Sequence, residues 1–265
     1  MAIRFQSLRS SSAGNCLALW TDTSSILIDC GLHVQRECRE MLEGHARRAG
    51  NVDAVLVSHA HGDHMAYGSL RVLAREGIRV HADARVIHDL RLRHEPDDWG
   101  PPPRMRPLSG TSSDIGDFTV TRVELPHEPF VSTFGFVITA RDRGRARTIV
   151  VCTDFNDYAA VLPHFVDADF IFVEANHDLQ LLRKHPNYAS RYHLNNVQTA
   201  SLLHHAAGRS ASPPRAVMLG HLSEERNRRA LAIDEVARMF ESQRTKLSFR
   251  LDAASARRPS DVIEI

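Results

Sequence analysis

The stretch Ser58-His59-Ala60-His61-Gly62-Asp63-His64 decides the fold. It continues the run Val52–Ser58, apolar at nearly every position apart from Asp53, which predicts a buried strand. The motif therefore sits at a strand's C-terminal end, where α/β sheets place their sites. His59 and His61 are two residues apart, so an extended backbone points both the same way. A turn then presents Asp63 and His64. Three imidazoles and a carboxylate this close together cannot all be buried unless something positive binds them.

Outward from the motif, strands and helices alternate. Ile3–Leu8, Asn15–Trp20 and Ser25–Asp29 are expected strands between Ser, Gly, Thr and Asp turns. Val34–Glu43 is an expected helix with Gly44 as its stop, and Gly68–Glu76 another, ending at Gly77. A strand over Arg79–Ala82 precedes His94–Gly110, whose Pro, Gly and Asp content predicts a long surface loop. Further strands are expected over Phe118–Leu125, Gly135–Ala140, Thr148–Cys152, Phe170–Glu174, Ala216–Leu219 and Leu247–Leu251, with helices over Asn196–Ala207 and Arg229–Gln243. Two similar halves, about 1–140 and 141–265, predict one α+β domain, a sheet-on-sheet sandwich covered by helices.

Composition narrows the function classes. The 265 residues carry 33 Lys+Arg against 32 Asp+Glu, a net charge of +1, so the chain does not coat nucleic acid or anionic membrane by bulk charge. Four cysteines without a CxxC pair, and no apolar signal segment before Ser10, lead us to expect reduced thiols in a cytoplasmic protein. No apolar run approaches the ~18 residues of a membrane span. The 16 histidines raise the prior for metal or acid–base chemistry only where they are patterned.

The H-x-H-x-D-H motif after an apolar strand resembles the signature of the metallo-β-lactamase-fold hydrolases. That resemblance implies an αββα sandwich, two mixed sheets flanked by helices, with a dinuclear metal site at one edge. Its remaining ligands are a His, an Asp and a His in chain order. His127 follows Phe118–Leu125, Asp154 follows Thr148–Cys152, and His221 follows Ala216–Leu219. Carried over, His59, His61 and His127 hold one metal, Asp63, His64 and His221 hold the second, and Asp154 bridges them. Five His and two Asp make a donor set suited to Zn, Mn or Fe. Asp29, at a strand end, is expected to orient a ligand rather than to be one.

Ser11-Ser12-Ala13-Gly14-Asn15, Glu174-Ala175-Asn176-His177-Asp178 and His221-Leu222-Ser223-Glu224-Glu225 are similar to the YycJ/WalJ subgroup, which is related to the PhnP-type phosphodiesterases. The subgroup implies a phosphodiesterase, in some members a DNA exonuclease, in which a water bridging the two metals is the nucleophile. The implied substrates are single-stranded DNA or a nucleotide. Asp63 and His193 are the catalytic candidates: Asp63 tempers the charge of the site, and His193 reaches the substrate in PhnP-like relatives. The alternative for His193 is an exposed residue at a helix start. Asn176, His177, Ser12 and Asn15 are candidates for supporting or substrate contacts. The chain departs from the subgroup at Glu128, where Asp is common, at Tyr192, where Gly is usual, and at Asn195, where Ser is. A thioesterase or lactonase of the glyoxalase II type shares the same ligands and stays open. So does a non-catalytic metal-binding interaction module, although seven complete candidate ligands argue against it.

Overall fold

The computed structural model describes residues 2–93, 103–142 and 144–265. In chain order its strands and helices are β1 (Arg4–Ser11), β2 (Gly14–Trp20), β3 (Ser25–Ile28), α1 (Gln35–Ala49), β4 (Ala54–Val57), α2 (Tyr67–Arg75), β5 (Arg79–Ala82), α3 (Ala84–Arg93) and β6 (Met105–Pro107). There follow β7 (Ser112–Ile115), β8 (Phe118–Glu124), β9 (Phe134–Asp142), β10 (Arg145–Cys152), α4 (Tyr158–Val161), β11 (Phe170–Glu174), α5 (Leu179–Lys184), α6 (Asn196–Arg209), β12 (Ala216–Gly220), α7 (Arg229–Ser242), β13 (Arg250–Ala253) and β14 (Ile263–Glu264). One sheet runs β14-β1-β2-β3-β4-β5-β6 and the other β13-β12-β11-β10-β9-β8-β7. Both are mixed: β1–β2–β3 pair antiparallel and β3–β4–β5–β6 parallel, while β7–β8–β9–β10 pair antiparallel and β10–β11–β12–β13 parallel.

The two-residue period of the strands sorts apolar side chains into layers. Leu17, Leu19, Ile26, Ile28, Ala54 and Leu56 join Ile149, Val151, Phe170, Phe172 and Met218 in a core between the sheets. The alternate residues Cys16, Ala18, Leu27, Val55 and Val57 face outward onto α1, α2 and α3. On the other sheet Val150, Cys152, Ile171, Val173, Val217 and Leu219 meet the helices of the second half. Strands buried on both faces need helices on each side, which is why the sandwich has four layers. Phe5 seals the middle layer, with its ring centroid 4.5 Å from that of Phe170 and 5.6 Å from that of Phe172. Each such side chain contributes about 1.5–3 kcal/mol on burial.

Several element boundaries differ from the sequence reading. Helix α1 passes through Gly44 and stops at Gly50, whose φ of 79° suits glycine. Cys38, Leu42 and His45 keep the buried stripe going, and that packing outweighs the ~1 kcal/mol an interior Gly costs. Helix α3 was not anticipated. The 94–102 part of the expected loop lies outside the described residues, and its later part holds the edge strand β6. The last long strand starts at Arg250 rather than Leu247. Beyond it, β14 pairs with β1, Arg4 opposite Glu264.

Candidate metal centre

The rim where the parallel strands end receives side chains from both sheets. After β4, the amide of Ser58 donates to Asp29 Oδ1 (2.8 Å) and its hydroxyl to Asp29 Oδ2 (2.9 Å), so the chain leaves the strand in one orientation. His59 and His61 then face each other, Nε2 to Nδ1, at 3.0 Å. The next turn closes on the carbonyl of His61, which accepts from the amides of His64 (3.0 Å) and Met65 (2.8 Å). Asn15 pins the turn from β2: its amide and side-chain Nδ2 both donate to the carbonyl of Asp63, at 2.8 and 3.2 Å. Gly31 lets the strands approach this closely, since a Cβ there would stand 1.8 Å from the same carbonyl oxygen.

The second sheet supplies the rest. His127 follows β8, and its Nδ1 donates to the carbonyl of Tyr192 at 3.0 Å, which leaves Nε2 to face Asp154 Oδ1 at 4.0 Å. Asp154 follows β10 and His221 follows β12. Both have positive φ, 64° and 50°, as does Asp29 at 60°. Non-glycine residues in this region are strained, and such outliers cluster at functional sites. The left-handed turn takes each chain sharply out of its strand.

Among the described residues, four sets have their donor atoms within 4.8 Å of one another: His59–His61–His127, Asp63–His64–His221, His59–His64–Asp154 and Asp154–Glu174–His193–His221. Asp154 is central. Its Oδ2 is 3.0 Å from His64 Nε2 and its Oδ1 is 3.5 Å from His221 Nε2. Asp63 Oδ2 lies 3.4 Å from His221 Nε2 and 3.5 Å from His64 Nε2. His59, His64, His221 and Asp154 are all buried.

The donor set fits divalent cations on an internal test. His64 gives its Nδ1 proton to Asp29 Oδ2 at 2.7 Å, so its Nε2 lone pair points at Asp154 Oδ2. That oxygen is buried and has no hydrogen-bond donor while His64 is neutral. Two acceptors at this separation call for a positive charge between them. With protons alone filling that role, burial opposes a charge on His64, but Asp154, Asp29 and Asp63 outweigh it and hold the imidazole well above its ordinary range. His221 is pushed up to about 10: burial again opposes, and Asp154 with hydrogen bonds to Asp63 and Glu174 prevails. Burial would raise the Asp63 and Asp154 carboxyls, yet the His64 and His221 charges hold both below the usual carboxylate range. His59, His61 and His127 are held below the ordinary imidazole value, chiefly by burial, and so favour the neutral form that binds cations.

Glu174 closes β11, and sequence reasoning assigns it no role. It is fully buried, and its Oε1 accepts from the amides of Phe155 (2.8 Å) and Leu194 (3.2 Å). Its Oε2 meets His193 Nδ1 at 3.0 Å and His221 Nδ1 at 3.5 Å. Its signal was a carboxylate closing an otherwise apolar strand. His193 lies in the cluster, 3.5 Å from Asp154 Oδ1. Asn176 Nδ2 donates to the carbonyl of His221 at 3.1 Å. His177 is buried behind the rim with its Nδ1 unpartnered, and burial lowers its pKa to about 4. Ser12 is exposed on the β1–β2 turn, whereas its neighbour Ser11 is buried. The arginines after His221 are largely engaged: Arg228 Nη1 donates to the carbonyl of Glu224 (2.9 Å), and Arg229 Nη2 pairs with Asp252 (3.0 Å).

This layering is that of the metallo-β-lactamase fold. The chain belongs to the beta-lactamase superfamily domain family, whose profile matches residues 24–221. It is 26% identical over 243 residues to exodeoxyribonuclease WalJ of Streptococcus pneumoniae, covering 88% of this chain and 86% of that protein. Among solved structures, the metallo-β-lactamase fold protein YhfI from Bacillus subtilis is 18% identical with a TM-score of 0.70, covering 99% of both chains. A diphosphatase from the PhnP family is 14% identical with a TM-score of 0.63, covering 98% of this chain and 97% of that one. No helix among the described residues is long and apolar enough to cross a membrane.

Proposed function

We propose that the chain is a dinuclear-metal-dependent phosphodiesterase of exonuclease type, acting on single-stranded DNA or a nucleotide. The observation that carries this reading is the pair of donor trios, His59–His61–His127 and Asp63–His64–His221, with buried Asp154 between them and its Oδ2 3.0 Å from His64 Nε2. Five imidazoles and two carboxylates suit Zn, Mn or Fe. Similarity to an enzyme named as an exodeoxyribonuclease favours phosphodiesters over acyl thioesters. Four free, buried cysteines accord with a reducing cytoplasm.

Two divalent ions in such a site supply Lewis-acid charge and lower the pKa of water toward neutrality. The protein's own residues do the positioning. Asp29 fixes His64, and the Tyr192 carbonyl fixes His127, so both present Nε2 to the rim. Asp63 and Asp154 offset part of the cationic charge. Glu174 Oε2 accepts a hydrogen bond from His193 Nδ1, which keeps its proton and leaves Nε2 to meet the substrate. A proton held there can pass to the leaving oxygen.

The test is metal analysis of purified protein, with turnover of bis(p-nitrophenyl) phosphate, single-stranded DNA and an acyl thioester after loading with Mn or Zn. We expect two ions per chain and phosphodiester turnover that falls about 100-fold in His193→Ala with the ions retained. Turnover of the thioester alone would overturn the reading.

A further inference from the structure

Among the described aromatic residues, the two side chains most open to water flank the centre: Phe130 (105% exposed), three residues after His127, and Tyr188 (73%), five before His193. Tyr188 opens a short 3-10 helix, Tyr188–Tyr192. That turn is anchored. Asn187 Oδ1 accepts from the amide of Ala189 at 2.9 Å, Ser190 is buried, and the amide of His193 donates to the carbonyl of Ser190 at 3.2 Å. On it, Arg191 is bracketed by two rings, its Cζ 3.3 Å from the centroid of Tyr188 and 4.4 Å from that of Tyr192. The rings are edge to face with centroids 6.4 Å apart, and Arg191 also bonds the Tyr192 hydroxyl.

This group is continuous with the metal rim. The Tyr192 carbonyl accepts from His127 Nδ1 at 3.0 Å, and its ring centroid lies 6.1 Å from that of His127. The next residue is His193. An exposed tyrosine carrying a guanidinium against its ring, on a turn that leads directly into the metal rim, matches the needs of a nucleobase and its phosphate. Every base offers a π-face to stack, and Arg adds cation–π attraction and charge.

We infer that Tyr188, Arg191 and Tyr192 form a shelf on which the terminal base of single-stranded DNA stacks while its phosphodiester reaches the rim. The inference rests on the phosphodiesterase reading and adds a means of holding the strand end. Tyr192 is one of the positions at which this chain departs from the subgroup it resembles, so the shelf is a feature of this sequence.

The test is fluorescence anisotropy with the metal-loaded protein and an internally labelled phosphorothioate oligothymidylate, which resists hydrolysis. A second oligomer carries abasic residues at its termini. We expect the protein to bind the intact oligomer about 10-fold tighter, as one stacked base implies. Tyr188→Ala removes that preference and Tyr188→Phe, which keeps the ring, restores it. Arg191→Met weakens binding of both oligomers and lessens the salt dependence. An unaltered preference in a folded Tyr188→Ala protein, or none in the wild type, would overturn the shelf. Wild-type protein that hydrolyses no phosphodiester yet keeps the base preference would overturn the catalytic reading and leave the shelf standing.

Discussion

Replacing Asp29 by Asn barely changes the shape of the residue but disrupts the protonation of His64. Asp29 accepts three donors: the Ser58 amide at 2.8 Å, the Ser58 hydroxyl at 2.9 Å and His64 Nδ1 at 2.7 Å. An Asn offers one oxygen and one NH2. If the oxygen stays with the Ser58 amide, the NH2 faces the His64 Nδ1 proton. The imidazole then relieves the clash by moving that proton to Nε2, the atom that faces Asp154 and Asp63. If the side chain flips, the NH2 meets the backbone amide of Ser58, which cannot change its proton. Either way a buried, charge-assisted hydrogen bond is lost, worth about 2 kcal/mol or ~30-fold in affinity. We expect Asp29→Asn to bind the ion at Asp63–His64–His221 about 10–100-fold more weakly while the His59–His61–His127 ion is little affected. Chelator competition followed by metal analysis reads the two affinities separately. A variant that holds both ions as tightly as the wild type would refute this account of the tautomer.

Glu174→Gln keeps an oxygen for the Phe155 and Leu194 amides but removes the charge facing His193; we expect kcat on bis(p-nitrophenyl) phosphate to fall about 10–100-fold with KM nearly constant, and an unchanged kcat would dismiss the role. Gly31→Ala would place a Cβ 1.8 Å from the Asp63 carbonyl oxygen. Shifting that carbonyl breaks both Asn15 contacts and costs about 3–5 kcal/mol, a Tm loss of roughly 10 °C; a melt within 2–3 °C of wild type (on the order of one kcal/mol) would contradict the packing. His45, buried beside Arg48, has its pKa lowered from 6.5 to about 4, mainly by burial. The unfolded chain binds the extra proton in that window, so the fold loses up to about 3 kcal/mol as pH drops from 6.5 to 4. His45→Gln should flatten that part of a Tm-against-pH curve, and parallel curves would rule the contribution out.

Much of the site was legible because its signals are local. The H-x-H-x-D-H spacing needs only a strand and a turn, and His127, Asp154 and His221 each follow an apolar run. The buried strands declared themselves by unbroken Val, Ile and Phe, and two-sided burial implied helices on both faces. Glu174 was illegible because a carboxylate at a strand's end looks like any turn residue until its partners, 19 to 47 positions along the chain, are folded beside it. The pairing of β14 with β1 depends on residues at opposite ends of the sequence, which no periodicity records. Gly44 reads as a helix stop because glycine disfavours helix locally, whereas burial of Leu42 and His45 is a tertiary matter.

The candidate ligands hang from both leaves of the sandwich: four after β4, and one each after β8, β10 and β12. Any cation they grip is therefore also a clasp between the leaves. Its grip adds to the resistance of the whole molecule against coming apart, in proportion to the logarithm of cation supply. Scarcity of that cation would first idle the protein and then shorten its lifetime against proteases, coupling its abundance to the mineral state of its surroundings.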